Sequence, residues 1–304
     1  MFRSAVLLGF TMSFAPLAWS QVKIQALVEP VSYARGLPNV GSLASIYVSG
    51  LTGAPGLYLP TTALPLPFQL AGINVTVDGV LAPILAVYIP PTEQKTNALI
   101  NIQVPLEWNT EAAASRSSLI VQESLSLRSD EITPVSNSGW WGGFFSDQDG
   151  FGFAQHTSDN SPVTRENPAH AGETIAVLAN GLFRVWPPAP IGFPTPPQPV
   201  FVTTTPYPQG TGYLFLQSPP VTMIFPPLGD IGSCASSPAL KVTFEGLAPG
   251  FVGVEQIQFV VPANQQPGDW ALFFNIGTDI NGQCPSPARH ETPSSGPYVK
   301  IPVR

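Results

Sequence analysis

Charge is what this chain has least of: only 10% of its 304 residues are Asp, Glu, Lys or Arg. Exposed helices steadied by i,i+4 ion pairs need far more, so long surface helices are not expected. The 12 basic residues form no cluster, and against 19 acidic ones they leave a formal charge of −7 and a pI near 4.9. Nucleic acid and anionic membrane surfaces demand concentrated Lys and Arg, and neither is an expected partner. Beyond the N-terminus no stretch reaches about 18 uninterrupted apolar residues, which excludes a membrane-spanning helix from the expectation. Histidine is scarce as well. His156, His170 and His290 are scattered through irregular segments without a His-Glu-x-x-His motif, and read as surface loop residues. A Gly-x-Ser-x-Gly elbow and a phosphate-cradling strand, glycine loop and helix are both missing. The expectation is therefore a non-enzymatic protein with no cofactor.

The N-terminus has what the rest lacks. Arg3 precedes an apolar run from Ala5 to Ala18, interrupted by Pro16, and Ala18-Trp19-Ser20 supplies the small-x-small pattern of a cleavage site. Residues 1–20 thus read as a secretory signal peptide, which predicts a secreted, periplasmic or cell-surface protein. In such a compartment the only two cysteines, Cys234 and Cys284, are expected to pair, since neither belongs to a Cys-x-x-Cys motif. Closing a loop of that length is worth about 4 kcal/mol in the chain-entropy account.

Proline (36) and glycine (27) together exceed a fifth of the chain and punctuate short segments of period-two alternation. Ala44, Ile46 and Val48 against Ser45, Tyr47 and Ser49 is one example, and Ile100, Ile102 and Val104 against Asn101 and Gln103 another. Each face set predicts a half-buried antiparallel strand, and the whole pattern an all-β fold.

Some segments recur. GSLASIYVSGL, from Gly41 to Leu51, aligns without gaps on GETIAVLANGL, from Gly172 to Leu182. PILAVYI from Pro83 aligns on LKVTFEG from Leu240, and the same offset carries INIQVP, ending at Pro105, onto IQFVVP, ending at Pro262. Val75-Thr76-Val77 matches Val221-Thr222-Met223 between the blocks. This predicts one fold used twice: a first module over 21–135 and a second over 165–304. The second carries two insertions, a proline-rich stretch from Trp186 to Pro199 expected to be extended polyproline II, and a loop that holds Cys234.

Residues 136–164 lie between the modules and read as an aromatic and glycine-rich connector. Trp140, Trp141, Phe144 and Phe145 are the candidate ligand-binding residues there, because exposed aromatics on a β-sandwich can stack on sugar rings. The competing reading packs them between the modules. Asp147, Asp149 and Gly150 resemble the opening of a calcium loop, but Phe151 falls where the next ligand belongs and no closing Glu follows. A plain Asp-Gly turn is the expectation, with no metal assigned.

The segments SYARGLPNVGSLASIYVSGL, INVTVDGVLAPIL, NIQVPLEW, DQDGFGFAQ, NPAHAGETIAVLANGL and FEGLAPGFVGVEQIQFVVP, in this order, resemble a family of paired immunoglobulin-type modules. These IPT/TIG-like modules form a Solibacter-type C-terminal domain of exported acidobacterial proteins. The resemblance implies two tandem immunoglobulin-like β-sandwiches and export, and it brings no catalytic or binding residue with it. The expected role is structural, adhesive or protein-interacting at the cell envelope, with an extracellular protein or a polysaccharide as partner. Carbohydrate binding by the connector aromatics is the alternative.

Overall fold

The computed structural model describes residues 22–33, 35–61, 64–94, 96–105, 118–123, 128–129, 143–181, 185–186, 188–197, 202–203, 222–224, 240–275 and 298–304. Among them there is no helix, hence none long and apolar enough to cross a membrane. The first half contributes β1 (Lys23–Val28), β2 (Leu43–Ser49), β3 (Gly56–Tyr58), β4 (Asn74–Val77), β5 (Val80–Leu81), β6 (Ile84–Ile89), β7 (Ala98–Gln103) and β8 (Leu119–Gln122). One sheet runs β1-β2-β7-β6-β3, and a smaller one β5-β4-β8.

The second half contributes β9 (Gly143–Phe144), β10 (Ala154–His156), β11 (Thr174–Asn180), β12 (Val185–Trp186), β13 (Val202–Thr203), β14 (Thr222–Ile224), β15 (Lys241–Leu247), β16 (Glu255–Val260), β17 (Gly268–Asn275) and β18 (Tyr298–Val303). Its larger sheet runs β10-β11-β16-β15-β13-β12, with β9 also on β11, and its smaller one β14-β17-β18. All pairings between these strands are antiparallel.

Alternation explains the cores. In β2 the side chains of Ala44, Ile46 and Val48 point inward, where Ile100 and Ile102 of β7 meet Val75 and Val77 of β4 and Val121 of β8. In β11 Ile175, Val177 and Ala179 face Ile257 and Phe259 of β16, with Leu272, Val299 and Ile301 from the other sheet. Each core is thus closed by two sheets, as in a β-sandwich. Burying one Val, Ile or Phe is worth about 1.5–3 kcal/mol, so either cluster can hold its sheets together.

The strands recur in geometry as they do in sequence. Ala44 pairs with Ile102 as Ile175 pairs with Phe259. Gly41 and Gly172, aligned in the repeat, both have φ near 83° and both donate their N–H across the sheet end, to Val104 O and Val261 O. The β6–β7 hairpin has its bulge between Ile84 and Ala86, and the β15–β16 hairpin between Val242 and Phe244. Ile84 opposite Ile102 therefore corresponds to Val242 opposite Phe259, one residue further along than the ungapped sequence match places it.

A further correspondence has no sequence signal. Val28 bridges Arg35, Tyr33 N–H donates to Glu29 O, and Tyr33 has a left-handed φ of 55°. Gln155 bridges Pro162, Asn160 N–H donates to His156 O, and Asn160 has a φ of 59°. By geometry β10 is the counterpart of β1, and His156 sits where Glu29 does. Residues 143–163 are accordingly part of the second half rather than a separate connector: β9 and β10 pair with β11 of its larger sheet, Phe151 bridges Lys300 of its smaller one, and Phe144, Ala154 and Val163 enter its core.

Candidate functional site

The candidate aromatics separate. Trp140 and Trp141 lie outside the described residues, as do Cys234, Cys284 and His290. Phe144 does not suit the role of a ligand contact, because β9 turns its ring into the second core, where it is 4% exposed. Phe145 is half-buried, with its N–H donated to Leu178 O and its carbonyl accepting from Phe153 N–H. Between these two phenylalanines the chain makes an excursion whose tip is the Asp147–Gly150 turn. Asp147 Oδ1 accepts from the N–H groups of Asp149, at 2.9 Å, and Phe151, at 2.8 Å, and Gly150 has φ +82°. That oxygen is taken up by its own turn, and Lys300 Nζ donates to the Asp149 carbonyl at 2.7 Å. The ring of Phe151 lies under the Arg165 guanidinium, 4.5 Å from its centroid, and the Lys300 ammonium, at 5.2 Å. It already has cationic partners.

Two hollows adjoin on the outer face of this sheet. The first is lined by Gln155, Thr157, Asn160, Gln256, Gln258 and Phe251 with Ala176 and Pro249. Its floor follows from register: Gln155 lies opposite Ala176, and Ala176 opposite Gln258, so two carboxamides flank one small side chain. Gln155 and Asn160 also border the second hollow, which holds Phe153 and Leu178 beside Asp147, Arg165 and Glu166. Phe153 is 50% and Phe251 46% exposed. Amides and hydroxyls donate and accept hydrogen bonds but transfer no protons near neutral pH. The first hollow is equipped to bind a neutral polar ligand.

A buried polar seam joins the two halves. Asn180, fully buried, donates from Nδ2 to Glu29 Oε1 at 2.6 Å and to Leu43 O at 3.1 Å, and its Oδ1 accepts Leu43 N–H at 2.9 Å. The β1–β2 register sets Val28 opposite Ser45, and continuing it would bring Pro30 to Leu43. Proline has no N–H to give there, the chain turns away, and the Asn180 carboxamide occupies the vacated edge. Gln103, also fully buried, donates to Gly41 O at 3.0 Å and Pro190 O at 3.1 Å and accepts from Gly192 N–H at 2.8 Å. Asn39 Nδ2 donates to Gly181 O at 3.1 Å, and Leu66 N–H to Gly192 O at 2.7 Å.

Glu29 is the ionisable member of the seam. Burial pushes its carboxyl above the ordinary glutamate value, while hydrogen bonds from Ser32, Asn180 and Val31 pull it part of the way back. A raised carboxyl makes the folded state bind a proton more tightly than the unfolded one. The associated stability is full below the unfolded value and is lost as pH rises through the folded one. Unfolding midpoints in urea should therefore fall as pH climbs from the ordinary glutamate value, and Glu29→Gln should flatten that slope. An unchanged slope in the variant would place the titration elsewhere.

His156 departs from the surface-loop expectation, whereas His170 lies exposed in a loop as expected. His156, at the inward-facing end of β10, is 5% exposed, and the chain folds back to bring His170 to it, ring centroids 6.4 Å apart. Glu173 joins them, with Oε2 3.1 Å from His156 Nδ1. The sequence signal is weak: a histidine in step with Ala154 on an otherwise apolar face, and a His-x-x-Glu pair at the entry to β11. No protein-family model, curated protein or solved structure matches the chain.

Proposed function

We propose that this chain is an exported, non-enzymatic pair of immunoglobulin-like modules with a structural or adhesive role at the cell envelope. The observation that carries the reading is the seam, in which the Asn180 carboxamide bonds Glu29 and Leu43 and the Gln103 carboxamide bonds Pro190 and Gly192 across the junction. A junction closed by buried, hydrogen-bonded amides fixes the orientation of two modules, which a spacer or a presented adhesive surface requires and a flexible tether would not supply. The recurrence of β1, β2, β6 and β7 as β10, β11, β15 and β16 supports two copies of one fold. The leader-like residues 1–20 support export.

The test is attachment. Mature, fluorescently labelled protein added to envelopes of the producing cell should bind saturably, and a panel of ester, glycoside, peptide and phosphate-ester substrates should show no turnover. Turnover sensitive to single substitutions in either hollow would overturn the reading, as would failure to bind envelopes.

The amide-lined hollow favours glycan binding as a second reading, with the contact moved from the tryptophans to Phe251, Gln155 and Gln258. Phe251 supplies an exposed face for stacking and the amides match sugar hydroxyls. Phe251→Ala should weaken retention on an insoluble polysaccharide about tenfold, the range of one good aromatic contact. Equal retention of the variant and the parent protein would exclude this hollow.

A further inference from the structure

We propose that His156, His170 and Glu173 form a binding site for a divalent transition-metal ion of the zinc type. The buried ring of His156 is set between two acceptors. His156 Nε2 lies 3.3 Å from the backbone carbonyl of Asn167, which can only accept. His156 Nδ1 lies 3.1 Å from Glu173 Oε2, which as a carboxylate can only accept too. A neutral imidazole has one N–H to give. Whichever nitrogen carries it, the other turns its lone pair toward an acceptor oxygen, and in the Nε2–H tautomer that oxygen belongs to the Glu173 carboxylate.

A metal ion resolves this arrangement and uses every part of it. Imidazole nitrogen and carboxylate oxygen are the usual ligands of zinc, at about 2.0–2.2 Å, which sets neighbouring ligand atoms about 3.3 Å apart in a tetrahedron. The observed 3.1 Å between His156 Nδ1 and Glu173 Oε2 already fits. His170 Nδ1 lies 3.9 Å from the same oxygen, and the three donor atoms are all within 4.8 Å of one another. His170 is 61% exposed and free to turn inward. The outer shell is present as well: the Asn167 carbonyl lies 3.3 Å from His156 Nε2, where it accepts from the Nε2–H tautomer that leaves Nδ1 as metal donor, and His170 N–H holds Glu173 Oε1 at 2.6 Å. Three protein ligands at an open edge leave a further position to water or to a group on another molecule.

The place in the fold supports an accessible site. Geometry sets His156 on Glu29, and the matching turns, in which Ser42 N–H donates to Asn39 O and Glu173 N–H to His170 O, set His170 on Asn39 and Glu173 on Ser42. In the first half this corner is covered by Asn180 and Gly181. In the second half its counterpart carries metal-ligating residue types and remains open at His170.

Zinc titrated calorimetrically into the chelator-stripped, untagged mature protein tests the proposal. Uptake should saturate at one ion per chain and raise the thermal midpoint, and a chelator should reverse both. His170→Ala should weaken zinc binding at least about tenfold while leaving the metal-free midpoint unchanged, because this side chain is exposed. Glu173→Gln should abolish binding yet keep or raise the metal-free midpoint, since its amide can donate to His156 Nδ1. The rival arrangement is a buried His156 imidazolium paired with Glu173. It predicts that Glu173→Gln destabilises the protein and that both ring nitrogens of His156 appear protonated by NMR with or without zinc. That result, absent uptake, or uptake indifferent to both substitutions would overturn the proposal.

Discussion

Asn180→Ala should cost about 3–4 kcal/mol of folding stability, the range for stripping the partner from a buried charged group and leaving buried polar atoms unmade. The substitution removes three hydrogen bonds at once. Glu29 Oε1, Leu43 N–H and Leu43 O would each face a vacancy where water has little access, and Glu29 is already held above its ordinary protonation range by burial. The two halves should also uncouple, so that calorimetry resolves two transitions where the parent protein gives one. Asn180→Asp sharpens the test. Asp keeps an acceptor for Leu43 N–H but turns a second carboxylate oxygen toward the Glu29 carboxylate and the Leu43 carbonyl. Two carboxylates sharing one site cannot both ionise readily, so the second titration of the folded pair is pushed up, and the loss should be largest at neutral pH and recede on acidification. A cost below about 1 kcal/mol for Asn180→Ala, the range of an exposed polar substitution, would mean that this amide does not hold the junction.

Much of the sheet framework was legible in alternation alone. Ala44-Ile46-Val48, Ile175-Val177-Ala179 and Ile257-Phe259 face their cores as period two requires, and the glycines that bracket β2 and β11 take positive φ in both copies. What escaped was structure carried by backbone rather than by side-chain type. The turns after β1 and β10 share a bridge, a hydrogen bond and a left-handed residue, yet Tyr33 and Asn160 have nothing in common as side chains. The one-residue offset at β15 escaped for a related reason: a bulge absorbs a residue without disturbing the apolar pattern around it.

The seam was illegible because its members look ordinary in one dimension. Asn180 before Gly181 reads as a turn, and Gln103 reads as the polar side of an alternating strand. Only the folded pair shows that both are buried and what they bond. The histidine cluster was hidden in the same way, since Asn167, His170 and Glu173 approach His156 through a loop whose path the sequence does not state.

Gly253→Ala should be the second most damaging change, at about 3 kcal/mol, and it isolates how closely the halves approach. Gly253 has φ +64°, in the left-handed region, where a side chain costs about 1–2 kcal/mol whatever surrounds it. The surroundings add more. A Cβ there would lie 2.6 Å from Gly41 O, 3.0 Å from Leu43 Cδ2 and 3.4 Å from Gln103 Nε2. The first of these is a backbone atom and cannot rotate away. It also accepts the Gln103 hydrogen bond, so relieving the overlap would pull Gln103 from Gly41 and strain its bonds to Pro190 and Gly192. Overpacking of this kind typically adds about 1–3 kcal/mol. Gly250→Ala is the matched control, because Gly250 has φ +85° and a Cβ there would meet nothing within 4 Å. It should show the conformational cost alone. Chemical denaturation of the two variants side by side then measures the contact by difference, and equal losses would mean that the junction can open at Gly253 without cost.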